Sequence, residues 1–175
     1  MHPLAALTLL LGALVAAPNA AQQPGPSPAD TTHAAPSVPI LPTPAQQRYL
    51  DGLRTAGRGV AQIKDGINRL ARTQNTHDTL QVRQAGRRLG GLCGAARGFL
   101  VSGRAQMEPN VYQPPTRGAA KDLTARVDSL SASATTCQHS AGKTPAPVAI
   151  LLLGRIREYE VALMAFRSTI GLPNR

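Results

Sequence analysis

The chain is poor in the groups from which most enzyme sites are built. It has 9 Asp+Glu in 175 residues, and its aromatic share is 3% with no Trp. With so few carboxylates, no pair falls on a buried face where one could act as acid and the other as base. The spacing offers no nucleophile–base constellation and no phosphate-cradling glycine loop at a strand end. Only two cysteines occur, Cys93 and Cys137. Neither belongs to a C-x-x-C or C-x-x-C-H run, so dithiol redox chemistry has no motif and covalent haem attachment is excluded. No stretch alternates apolar and polar residues with period two, which leaves no basis for a sheet.

Long hydrophobic runs are also missing. The longest uncharged apolar run, Leu4–Ala17, is too short to cross a bilayer comfortably and has the length of a signal-peptide core. Small residues follow it, and cleavage near Ala20 or Ala21 is expected. No Lys or Arg precedes the run, and Pro18 or Asn19 stands where a small residue is usual; both depart from the ideal pattern. No cysteine lies near the cleavage region, which speaks against a lipid anchor. The expectation is a signal peptide over 1–21, a periplasmic or secreted product, and no integral span after cleavage. Residues 22–44 then hold seven prolines among Ala and Ser. Proline removes backbone donors and fixes φ, so this stretch reads as a flexible tether. Its end, Val38-Pro39-Ile40-Leu41, is apolar enough to dock on a folded domain.

What remains, 45–175, is rich in cations and in helical periodicity. The formal net charge is +10, from 19 Lys+Arg, and all of these lie beyond residue 45. Sixteen are arginine, the cation suited to bidentate contact with phosphate and carboxylate. A compositional bias toward Ala, Gly, Pro and Arg together is the competing explanation. Four segments carry apolar residues at steps of three and four. The first runs through Leu53, Ala56, Val60, Ile63, Ile67 and Leu70, and the second through Val82, Ala85, Leu89, Leu92, Ala96 and Phe99. The third uses Leu123, Val127, Leu130, Ala134 and Cys137. The fourth, the most apolar, uses Leu152, Ile156, Tyr159, Leu163, Phe166 and Ile170. Breaks at 73–78, 109–116 and 140–145 are short, which favours antiparallel neighbours. The fold class predicted is all-α, an up-down-up-down four-helix bundle. Thr144 is positioned to cap the fourth helix, Pro145 suits its first turn, and Gly171 with Pro173 ends it. The third helix is the weakest, because Ser129, Ser131, Ser133, Thr135 and Thr136 compete for its backbone.

In an exported chain an even cysteine pair reads as one disulfide, here joining the second and third helices. Glycine follows two patterns. Gly52, Gly59 and Gly66 repeat every seven residues beside the first helix's apolar stripe, where they would let a neighbour approach. Gly86, Gly90, Gly94 and Gly98 form a ladder predicted to lie opposite the second helix's stripe, among Arg83, Arg87, Arg97 and Arg104. That face, with Gly90 and Gly94 at its centre, is the candidate binding surface for an anionic polymer or an acidic protein. Arg54, Arg58, Arg69 and Arg72 form a similar outer stripe on the first helix. Asp65–Arg69 and Asp122–Arg126 are spaced as intrahelical pairs.

The alternative is a haem- or metal-binding bundle that uses His77, His139 or Met107; His2 and His33 fall in the leader and tether. No carboxylate or cysteine accompanies either bundle histidine at ligand spacing, so no metal site or cofactor is assigned. Ile150, Leu153, Val161 and Met164 give the fourth helix a second apolar face, to be covered by 38–41 or by a partner. The function expected is a non-enzymatic, basic, exported binding or structural protein.

Overall fold

The computed structural model describes residues 41–75 and 78–172. Four helices follow one another: α1 (Pro44–Gln74), α2 (Thr79–Arg104), α3 (Thr116–Ser140) and α4 (Pro145–Thr169). A 3-10 turn at Pro109–Val111 interrupts the crossover between α2 and α3. Among the described residues there is no strand. The leader, the tether up to residue 40, and His77 lie outside the described residues.

Local chemistry fixes the helix starts. Thr43 accepts from the Gln46 amide, while the Gln46 side chain accepts from the Thr43 amide, a reciprocal capping box before Pro44. The bundle thus begins one residue earlier than the expected boundary at 45. Asp78 caps α2 by accepting from the amides of Leu80 and Gln81. Thr144 does not cap α4. Its hydroxyl donates instead to the Ser140 carbonyl at 3.4 Å, and Pro145 at the first turn has no amide needing a partner. Gly171, at φ 71°, ends α4 in the left-handed region. In α3 the hydroxyls of Ser129, Ser133, Thr135 and Thr136 each donate to the carbonyl four residues back. The competing groups are thereby absorbed into the helix that carries them.

The helices alternate in direction. Gly52 near the start of α1 meets Gly103 near the end of α2, and Gly66 meets Leu89 and Leu92. Arg104 pairs with Asp128, and Gly86 abuts Ala141, which sets α3 antiparallel to α2. Thr116 donates to the Thr169 carbonyl, and Lys64 pairs with Glu160, closing α3 to α4 and α4 to α1. The core lies along the common axis: Ile63, Leu70, Leu89, Leu100, Leu123, Val127, Leu130, Leu152 and Phe166 are all buried. At the end holding the start of α1 and the end of α4, the rings of Tyr49, Tyr112 and Phe166 cluster with centroids 5.2–5.4 Å apart, Tyr112 meeting the other two edge to face. Tyr49 donates from its hydroxyl to the Ala120 carbonyl at 3.0 Å, which ties α1 to α3. Burial pushes its pKa up to about 12.

Cys93 and Cys137 have their sulfurs 2.04 Å apart, at disulfide bonding distance. The two cysteines stand level although α2 ends 11 residues after Cys93 and α3 starts 21 residues before Cys137. The first turns of α3 overhang the end of α2. The crossover fills that overhang, with Met107 and Tyr112 buried in the core.

A candidate anion-binding face

Three of the four ladder glycines do not lie on an open face. A Cβ on Gly86 would come 2.3 Å from the Ala141 carbonyl oxygen, and one on Gly90 would stand 3.2 Å from that of Gln138. Gly94 faces the Gln138 side chain at 3.2 Å, and only around Gly98 is there no atom within 4 Å. The expectation that the ladder sits opposite the apolar stripe is corrected for Gly86, Gly90 and Gly94, which face α3, whereas Gly98 is exposed. An inner helix of a bundle buries two flanks, one per neighbour. Ala85, Leu92 and Phe99 mark the flank toward α1, which large apolar residues reveal. The flank toward α3 is made of Gly86, Gly90 and Cys93, which a count of large apolar residues overlooks. The heptad glycines of α1 behave as expected: Cβ atoms at Gly52, Gly59 and Gly66 would meet Gly103, Ala96 and Leu89 at 2.5–2.8 Å.

The arginines assigned to this face separate into different surroundings. Arg83, Arg87 and Arg97 are exposed. Arg104 is not available in the same way, because its Nε donates to Asp128 Oδ2 at 3.0 Å across the α2–α3 seam. Along a helix rising 1.5 Å per residue, Arg104 stands about 25 Å from Arg87, too far for one small ligand. What the fold gathers around Arg87 instead is Gly90, Gln138, His139, Gly142 and Lys143, which line a shallow hollow of about 350 Å³. Gly142 makes this possible, since a Cβ there would lie 2.9 Å from Arg87 Cγ. The bare α3–α4 turn lets the arginine stem cross it. Lys143 and His139 occupy the C-terminal end of α3, where the helix dipole favours cations.

The first-helix stripe divides likewise. Arg54 is engaged by Asp51, and Arg69 by Asp65 at 2.7 Å, while Arg58 and Arg72 are exposed. The predicted pair Asp122–Arg126 is present at 3.2 Å, and Arg126 also reaches Glu158, bridging α3 to α4. The acids explain why so many cations are left over. Asp51, Asp65, Asp122, Asp128, Glu158 and Glu160 are each in an ion pair within the domain. Asp78 and Glu108 cap helical turns. Every acid among the described residues is therefore engaged in an ion pair or a cap, and Arg83, Arg87, Arg97, Arg58, Arg72 and Lys143 are in none of the ion pairs among the described residues.

Of the residues named for the haem or metal alternative, His77 lies outside the described residues, and Met107 and His139 are far apart. Met107 is buried beside Gly52 at one end, and His139 is exposed at the other. No cluster of three His, Cys, Asp or Glu capable of holding a metal occurs among the described residues. No helix among them is long and apolar enough to cross a membrane.

Lys143, His139 and Gln138 are the members of this hollow that the spacing of α2 could not reveal, being some fifty residues away. The cysteine pair carried the signal. With Cys93 level with Cys137, the residue six before the first stands level with the residue six after the second, and these are Arg87 and Lys143. Comparison with protein-family models, with curated proteins and with solved structures finds no match to this chain.

Proposed function

We propose that the domain is a non-enzymatic binding protein of the cell envelope or its exterior. It holds an anionic polymer or an acidic protein on the surface centred on Arg83, Arg87 and Lys143. The observation that carries the reading is the full internal use of the acids. The basic excess is left as a set of unpaired cations, and two of them, Arg87 and Lys143, line the hollow beside Gly142, with Arg83 exposed one helical turn before Arg87. A surface of this kind attracts any polyanion from a distance and holds it with a strength that falls as salt rises. Arginine at the rim adds bidentate contact with phosphate or carboxylate groups. Export rests on residues 1–21, and N-terminal sequencing of the protein from its native cells should find a start near Gln22.

Long-chain polyphosphate is a suitable probe. Arg83→Glu, Arg87→Glu and Lys143→Glu together are expected to weaken its binding at least tenfold and to flatten the salt dependence. Arg48→Glu, on α1 near the opposite end, should change binding little. Equal binding by the triple variant and the parent would refute the reading.

A further inference from the structure

The apolar residues of α4 do not stop at its core face. Ile150 is 71% exposed, Leu153 50%, Val161 57% and Met164 47%. At about 100° per residue these four share one narrow arc, which also holds Gly154 and Arg157. No atom lies within 4 Å of where a Cβ on Gly154 would be. We propose that this stripe is the interface of a two-fold dimer, in which α4 packs antiparallel against α4 of a second copy with Arg157 on the axis.

The order of the residues singles out a second copy. Ile150 and Met164 each stand seven residues from Arg157, and Leu153 and Val161 each stand four from it. Reversing the helix about Arg157 therefore sets Ile150 against Met164 and Leu153 against Val161, apolar on apolar at all four contacts. A self-complementary patch is the requirement for a closed two-fold contact. The polar positions follow the same symmetry, since Gly154 and Glu160 are each three residues from Arg157. The open space at Gly154 gives each Arg157 room to turn toward Glu160 of the partner subunit. Within its own chain Glu160 uses Oε1 for Lys64, at 2.7 Å. Its Oε2 is free to accept.

The apolar stripe is about 21 Å long. A single helix pair of that length falls below the standard interface of about 1,200 Å² or more, so the dimer should come apart on dilution. Because α4 and α2 are diagonal in the bundle, the dimer would turn its two basic faces outward. The inference is thus independent of what those faces bind.

Sedimentation velocity of the full chain over a hundredfold range of concentration tests this. The expected result is a monomer–dimer equilibrium that Val161→Glu and Met164→Glu shift at least tenfold toward monomer, with helix content unchanged. Two cysteine variants fix the geometry. Arg157→Cys should form an intermolecular disulfide with itself on oxidation. Ile150→Cys should cross-link to Met164→Cys but not to another Ile150→Cys chain. A monomer at every concentration would overturn the inference. A dimer indifferent to Val161→Glu, or one in which Ile150→Cys cross-links to itself, would overturn it as well.

Discussion

Helix α1 meets its two neighbours by different means. Toward α2 it presents Gly52, Gly59 and Gly66, and the α2 backbone comes so close that a Cβ at Gly59 would lie 2.7 Å from the Ala96 carbonyl oxygen. Toward α4 the gap is spanned by side chains. A Cβ on Gly57 would have as its nearest neighbour the Tyr159 hydroxyl, at 4.0 Å, and the Lys64–Glu160 pair bridges the rim. One seam is set by backbone contact and the other by side-chain length. Close backbone contact has no tolerance for added volume, whereas a seam filled by side chains can repack. The two should therefore respond in opposite ways to the same kind of substitution.

The seam between α2 and α3 adds a covalent link to a glycine contact, and its disruption should have the largest effect. Replacing Cys93 and Cys137 with Ala is expected to lower unfolding stability by about 4 kcal/mol on the chain-entropy scale for a loop of this size. Urea unfolding measures it. Thiol titration of the unreduced, unfolded parent should find no free sulfhydryl. Within α1, Gly59→Ala should cost about 2–3 kcal/mol through overpacking against Ala96. Gly57→Ala, two residues away on the α4 side, should instead gain about 0.5–1 kcal/mol from helix propensity. Equal effects at both sites would erase the distinction between the seams.

Alkaline pH should act mainly through buried tyrosine. Burial pushes Tyr159, in the α1–α4 seam, up to about 12, with the Glu160 charge adding to the shift, and Tyr49 rises similarly. The unfolded chain loses these protons near pH 10 while the folded one keeps them to about 12. Stability should therefore be intact below pH 10 and fall between about 10 and 12, by at most about 2–3 kcal/mol per tyrosine. Tyr159→Phe should make the fall shallower in an alkaline unfolding series. The smallest effect belongs to the rim. Lys64→Ala should cost less than about 1 kcal/mol, and less again in high salt, because both partners are about half exposed.

The large apolar residues announced the helices and most of the core, and the short breaks between them the directions. Leu89, Ala96, Leu130, Ile156 and Phe166 stand where their spacing put them, and the cysteine pair named the neighbours. Glycine was legible only in part. The α1 heptad lay beside a strong stripe and pointed to a close neighbour. Gly86, Gly90 and Gly94 of the α2 ladder were assigned to the wrong surroundings, because the second buried flank of α2 consists of residues with little or no side chain. Met107 and Tyr112 fall outside any helical period, so their burial in the crossover left no periodic trace. The candidate hollow joins Arg87 to residues of the α3–α4 turn. No local pattern in α2 could supply those residues, although the register set by Cys93 and Cys137 does.

The most direct test of the glycine-set packing compares two alanine substitutions on α2 by equilibrium unfolding. Gly86 faces the Ala141 carbonyl at a distance no methyl group can share, and Gly98, three turns on, faces open space. Gly86→Ala should lower stability by about 2 kcal/mol, and Gly98→Ala should raise it by about 0.5–1 kcal/mol. A gain in stability at both positions would contradict the close contact between α2 and α3 and return the ladder to an open face.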